Sequence, residues 1–155
     1  MIKVIFVCLG NICRSPLGEG ILKKMLEKER LQDKFFVDSA GTSAYHLGQQ
    51  PDERSCQTAE KHGISLNHQA RQLKHKDLQE FHYIIAMDNS NYQGIIALGE
   101  AAGEVLLMRD FDELGRGKDV PDPYWSGLDG FEEVYQICHR SCKNLLDYIK
   151  KEQNL

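Results

Sequence analysis

"KVIFVCLGNICRSP", Lys3 to Pro16, joins an apolar run to a loop holding two cysteines and an arginine, and then to a helix start. Successive β-branched and apolar positions in KVIFV predict a strand buried on both faces, the pattern of a parallel sheet. Ser15 and Pro16 form an N-cap and first-turn pair. Leu17, Ile21, Leu22, Met25 and Leu26 follow at helical spacing, so a helix is expected to run to near Leu31. Gly18 and Gly20 are costly inside it, and the expected reason is close packing of the helix against the sheet or a loop.

Further along the chain the same alternation recurs. Phe35–Gly41 reads as a second strand, and Asp52 to His62 as a helix stopped by Gly63. Tyr83–Met87 is a third strand followed by the helix-start signal DNSN, and Val105–Met108 is a fourth. From Asp129, with Glu132 three places on, a box-like cap opens a final helix. Its apolar stripe includes Phe131, Val134, Tyr135, Cys138, Cys142, Leu145, Leu146 and Ile149. Four strands alternating with helices predict an α/β fold of three layers, a doubly wound parallel sheet with helices on both faces. Ligands in such folds collect beyond the carboxyl ends of the strands, where the opening loop lies. Arg109 to Gly130 exceeds the usual loop length, and its aromatics and prolines predict an ordered, functional segment.

At 155 residues and 41% hydrophobic, the chain is expected to form a single domain over 1–155. A net charge of −4 supplies no global field for nucleic acid or an anionic membrane, so any anion must be held locally. No run approaches the roughly 18 apolar residues that span a bilayer. Five cysteines, an odd number without a secreted scaffold's spacing, predict free thiols in a reducing compartment and a cytoplasmic location.

The loop after the first strand admits four chemistries. A metal knuckle requires a second ligand pair at knuckle spacing, and the chain has none, so no metal is expected. A thioredoxin-type pair has two intervening residues, whereas Cys8 and Cys13 have four. A nucleotide P-loop ends in Gly-Lys-Ser or Gly-Lys-Thr, which is missing. The remaining reading is an anion cradle. Gly10 lets the chain turn tightly and Asn11 tolerates a left-handed backbone, so N–H groups from Leu9 through Gly10, Asn11, Ile12, Cys13, Arg14 and Ser15 can point inward as a nest. The helix N-terminus adds positive field, and Arg14 can return its guanidinium to grip two oxygens. The same field favours thiolate at Cys8, a nucleophile beneath a cradled phosphate.

CLGNICRS resembles the cysteine, five residues, arginine, serine signature of the phosphotyrosine phosphatases. With the following proline, the preceding strand, the chain length and DPYW at Asp122 to Trp125, it is similar to the low-molecular-weight protein tyrosine phosphatases. The resemblance continues through VDSAGTS, GISLNHQARQL and YIIAMDNSN and covers nearly the whole chain. It implies a flavodoxin-like fold, no cofactor, and hydrolysis of phosphotyrosine proteins and small aryl phosphates through a phosphocysteine intermediate. In this likeness Cys8 is the nucleophile, Arg14 the phosphate clamp, Asp122 the general acid and later base, and Ser15 a donor to the Cys8 sulfur. Asn11, Ser39 and His68 support the loop. Ile12, Tyr45, Tyr124 and Trp125 form the substrate cleft, with Tyr45 and Trp125 standing where many members carry Trp and Tyr. Cys13 is read as a redox partner that shields Cys8. The family also implies a monomer or weak homodimer.

Two relatives of the same scaffold offer alternatives. Thioredoxin-coupled arsenate reductases require shuttling cysteines after the third strand, where AMDNSNYQGIIALGE has none. Protein arginine phosphatases carry threonine at the place of Ile12, whose branched apolar side chain suits an aryl ring instead. Among the histidines only His68 is assigned a role; His46, His62, His75, His82 and His139 are read as surface or packing residues.

Overall fold

In a computed structural model describing residues 1–155, the KVIFV strand extends over Ile2–Cys8 (β1) and lies in the middle of a four-stranded sheet. Its neighbours are Phe35–Gly41 (β2) and Tyr83–Ala86 (β3), both parallel to it, and Glu104–Leu107 (β4) pairs in parallel beyond β3. The order β2-β1-β3-β4 places the end of β1 where the winding reverses, the position at which open α/β sheets leave a crevice.

Alternate side chains of β1 enter different cores, because successive residues of a strand point to opposite faces. Val4 and Phe6 pack with Arg14–Lys28 (α1) and Leu128–Glu152 (α5), joined by Ala59 of Glu53–Lys61 (α2). Ile5 and Val7 pack with Leu78 of His75–Glu80 (α3) and Ile95 of Asn89–Leu98 (α4). These two cores give the expected three layers. Each fully buried Ile, Leu or Phe contributes about 1.5–3 kcal/mol of transfer free energy. Both helical glycines serve close approach. A Cβ on Gly18 would lie 2.9 Å from Met87 and 3.0 Å from Phe6, and one on Gly20 would lie 2.7 Å from Leu66.

Several boundaries differ from the sequence reading, each for a local reason. α1 begins at Arg14 and stops at Lys28, and Cys13, not Ser15, is its N-cap, with no side chain capping it. The Ser15 hydroxyl is engaged instead by Cys8 and Asn11. The proposed box at Asp129 and Glu132 does not form: α5 starts at Leu128 after Gly127. Glu132 is drawn toward α2, where it accepts from His62 Nε2 at 2.9 Å and Lys61 Nζ at 3.3 Å. β3 starts at Tyr83 as expected and ends one residue early at Ala86, β4 lies one residue earlier than expected at both ends, and α3 is not expected from the sequence because its six polar-rich residues carry no apolar period. α2 runs as expected between Asp52, whose carboxylate accepts from Arg54 N–H, and Gly63 at φ 79°.

The long segment after β4 is held by ion pairs. A 3₁₀ turn, Met108–Phe111, leads to Asp112, which is fully buried and accepts from Arg109 Nε at 3.0 Å and Arg140 Nε at 3.0 Å. Burial opposes the Asp112 charge, but the Arg140 and Leu114 hydrogen bonds and both guanidinium groups outweigh it and hold the carboxyl below its usual range. A depressed carboxyl stabilises the fold above its unfolded pKa and loses that contribution as pH falls through its folded value. Asp112→Asn is therefore expected to cost about 3 kcal/mol in urea unfolding at neutral pH, with the deficit shrinking below about pH 4. An equal deficit at all pH values would refute the ionic origin.

Candidate active site

Cys8 ends β1 and opens a loop that closes at Arg14, the first residue of α1. Asn11 is left-handed at φ 59°, as read from the sequence. Gly10 is not: its φ is not positive, and its missing side chain instead admits the His46 ring, whose Cδ2 would lie 2.8 Å from a Cβ there. The Cys8 sulfur accepts from Asn11 N–H at 3.3 Å and lies 3.0 Å from the Ser15 hydroxyl oxygen.

A chain of side chains behind the loop fixes those donors. Asn11 Nδ2 donates to Ser15 Oγ at 2.8 Å and to Ser39 Oγ at 3.0 Å. Its Oδ1 accepts from Arg71 N–H at 2.9 Å and from His68 Nε2 at 2.7 Å, so every amide position is used. Because Ser15 Oγ accepts from Asn11, its own proton is free for the sulfur. Ser39 Oγ donates onward to Glu19 Oε1 at 2.6 Å, and His68 Nδ1 faces Glu19 Oε1 at 3.4 Å and Asp38 Oδ1 at 3.8 Å. Donor atoms of Glu19, Asp38 and His68 lie within 4.8 Å of one another, near enough to share a cation. Lys23 at 2.6 Å from Glu19 and Arg71 at 3.0 Å from Asp38 already balance the carboxylates.

Arg14 is buried, and its Nη1 donates to Asp88 Oδ2 at 2.7 Å and Val120 O at 2.9 Å, while Nη2 lies 3.7 Å from Asp122 Oδ2. Burial disfavours the guanidinium charge, but Cys8, Asp88 and Asp122 more than offset it and raise its pKa. Asp122 is half exposed, and its Oδ1 accepts from Tyr124 N–H at 3.1 Å. A cavity of about 280 Å³ brings together Cys8, Leu9, Gly10, Ile12, Cys13, Arg14, Tyr45, His46, Asp122, Tyr124 and Trp125. Its rim is aromatic: Tyr45 is 76% and Trp125 92% exposed, and the Tyr124 and Trp125 rings meet edge-on at 4.9 Å. All the nucleophile, clamp, acid and cleft candidates thus share one cavity, and Asn11, Ser15, Ser39 and His68 stand behind it.

Comparison with known proteins shows the family. The family model of low molecular weight phosphotyrosine protein phosphatases matches residues 3–155. The chain belongs to that family. YfkJ of Bacillus subtilis, a low molecular weight protein-tyrosine-phosphatase, is 40% identical over the whole of both chains, and its crystal structure superposes with a TM-score of 0.92, covering 98% of this chain and 96% of that one. A protein tyrosine phosphatase from Entamoeba histolytica, crystallised with Hepes in its active site, is 38% identical with a TM-score of 0.92 over 99% of each chain. An arginine phosphatase of drosophila is 36% identical with a TM-score of 0.89, covering 96% and 98%. No helix is long and apolar enough to cross a membrane.

Four residues at or behind this cavity were not read from the sequence: Asp88, which holds Arg14; His46, which lines the cleft; and Glu19 and Arg71, which complete the network behind the loop. DNSN did mark Asp88 as a helix cap, and it is one, its Oδ1 accepting from Asn91 N–H at 2.7 Å. The second oxygen's partner lies 74 residues away and leaves no local signal.

Proposed function

We propose that this member of the family hydrolyses phosphotyrosine in proteins, and small aryl phosphates, by way of a phosphocysteine. The observation that carries the reading is the convergence of the Cys8 sulfur, the Arg14 fork and the Asp122 carboxyl on one aromatic-rimmed cavity. The aryl ring enters between Tyr45, Tyr124 and Trp125, with Ile12 beneath it, and the phosphoryl group descends to the loop. The Cys8 thiolate forms an S–P bond as the P–O bond to the ring breaks. The departing electron pair goes to the aryl oxygen, which takes its proton from Asp122. Arg14 and the loop N–H groups from Leu9 to Arg14 hold the three equatorial oxygens as charge redistributes. Water then attacks phosphorus and gives its proton to Asp122, and the S–P electron pair returns to sulfur, helped by the Ser15 hydroxyl.

Cys13 is proposed as the thiol that attacks the sulfenic acid formed when peroxide oxidises Cys8, releasing water and closing a disulfide that a thiol reductant reopens. Burial first, and then Asp52, Cys8 and Asp122, push the Cys13 thiol up against the opposing effect of Arg54. Such a thiol does not compete for phosphate during turnover.

Ile12 is buried in a small apolar cluster with Cys13, Ala70 and Phe131, against which Tyr124 packs. The Ile12 side chain suits an aryl ring and offers no hydrogen-bond acceptor to a guanidino group. Wild-type protein is expected to turn over a phosphotyrosine peptide at least tenfold faster than the matched phosphoarginine peptide, and Ile12→Thr to narrow that ratio. Preference for phosphoarginine by the wild type would reverse the assignment.

A further inference from the structure

The nucleophile loop and the acid loop are far apart in the chain, and the first turn of α2 touches both. On one side, Asp52 N–H donates to Ile12 O at 2.8 Å and Ser55 Oγ donates to Cys13 O at 3.0 Å. On the other, Arg54 Nη1 donates to Ser126 O at 2.7 Å and Nη2 to Tyr124 O at 3.0 Å. The carboxylate of Asp52 locks the guanidinium between them, accepting from Arg54 Nε at 3.0 Å on Oδ1 and from Nη2 at 3.0 Å on Oδ2. The guanidinium also lies 4.6 Å over the Phe131 ring, which is fully buried on α5. Its plane is thereby fixed by an ion pair, two carbonyls and a ring face.

The same residue, Tyr124, receives this hold and passes it on. Its carbonyl is bound by Arg54, and its N–H donates to Asp122 Oδ1 at 3.1 Å. Asp122 is half exposed, its Oδ2 lies 3.7 Å from Arg14 Nη2, and its one hydrogen bond is from the Tyr124 N–H, so its direction follows the backbone of Pro123 to Ser126. We propose that Arg54 is a positioning residue for the general acid: anchored by Asp52 to the nucleophile loop, it sets the separation between Cys8 and the Asp122 carboxyl. Displacement of a few tenths of an ångström at Tyr124 would move the acid off the aryl oxygen while leaving the phosphate cradle intact. The proposal rests on Asp122 being the acid, and its test separates the two ideas.

The measurement is kcat/KM over a series of aryl phosphates from p-nitrophenyl to phenyl phosphate. A nitrophenolate leaves readily without a proton, whereas phenolate, whose conjugate acid has a pKa of about 10, needs one. With the acid in place the wild type responds weakly to the leaving group. Arg54→Met is expected to lose at least about tenfold more on phenyl phosphate than on p-nitrophenyl phosphate. Arg54→Lys, which keeps the charge and reaches one carbonyl, should show a smaller discrimination in the same direction, and it carries the test alone if the methionine variant does not fold. Equal losses across the series, or no loss, would overturn the proposal, because general loosening of the site does not discriminate leaving groups. Asp122→Ala is run alongside. If it too shows no discrimination, the acid assignment itself fails; discrimination in Asp122→Ala with none in the Arg54 variants refutes only the positioning role.

Discussion

Cys8→Ser is expected to lose at least about 10⁴-fold in turnover of p-nitrophenyl phosphate while remaining folded and able to bind phosphate. The sulfur's contacts are an amide donor from Asn11 and the hydroxyl of Ser15. These contacts suit a thiolate, since each can place a proton against it, but neither is a base that could deprotonate an alcohol. A serine hydroxyl would hold its proton at neutral pH and present a neutral, shorter side chain to phosphorus. Cys13 cannot stand in, because its thiol is buried beside carboxylates and its ionisation is suppressed. Phosphate affinity should be retained or increased, because an anion then meets a neutral hydroxyl in place of a thiolate. Acid quench of the wild type during turnover should trap a phosphoenzyme, and the variant should yield none. Turnover within about tenfold of wild type, with folding unchanged, would remove Cys8 from the reaction.

The parts of this site that sequence revealed are those whose chemistry is local. KVIFV followed by Gly-Asn and then Arg-Ser-Pro encodes strand, turn and helix within fourteen residues, and DPYW places an acid beside aromatics on its own segment. Asn11 in the left-handed region and the packing of Gly18 and Gly20 followed from side-chain stereochemistry alone. Long-range pairings did not. His46 looks like one of several scattered histidines until the Gly10 backbone is seen to lie beneath its ring. Arg54 and Asp52 look like a solvated helix start until Tyr124 and Ser126 are brought to them from the far end of the chain. Ser15 shows the opposite failure: its local propensity for the N-cap was outcompeted by the sulfur and Asn11, a tertiary demand overriding a capping preference worth about 1 kcal/mol.

Arg14→Lys is the second substitution with a large expected effect, and it tests geometry at constant charge. Both protons on Nη1 are committed, one to Asp88 Oδ2 at 2.7 Å and one to Val120 O at 2.9 Å. That leaves the Nε and Nη2 edge of the plane, which faces the side where Asp122 lies 3.7 Å away, to meet two phosphoryl oxygens together. A lysine nitrogen has three protons at one point. If two satisfy Asp88 and Val120, one remains, and the bidentate grip is lost even though the positive field persists. That grip should matter most when the three equatorial oxygens flatten into a plane, so the loss falls on the transition state more than on bound substrate. The expected fall in kcat/KM is about 10³-fold, roughly 4 kcal/mol. Vanadate, which adopts the five-coordinate geometry, should lose far more affinity than phosphate does. Equal weakening of the two anions would mean that Arg14 supplies charge alone, and the fork held open by Asp88 and Val120 would have no part in catalysis.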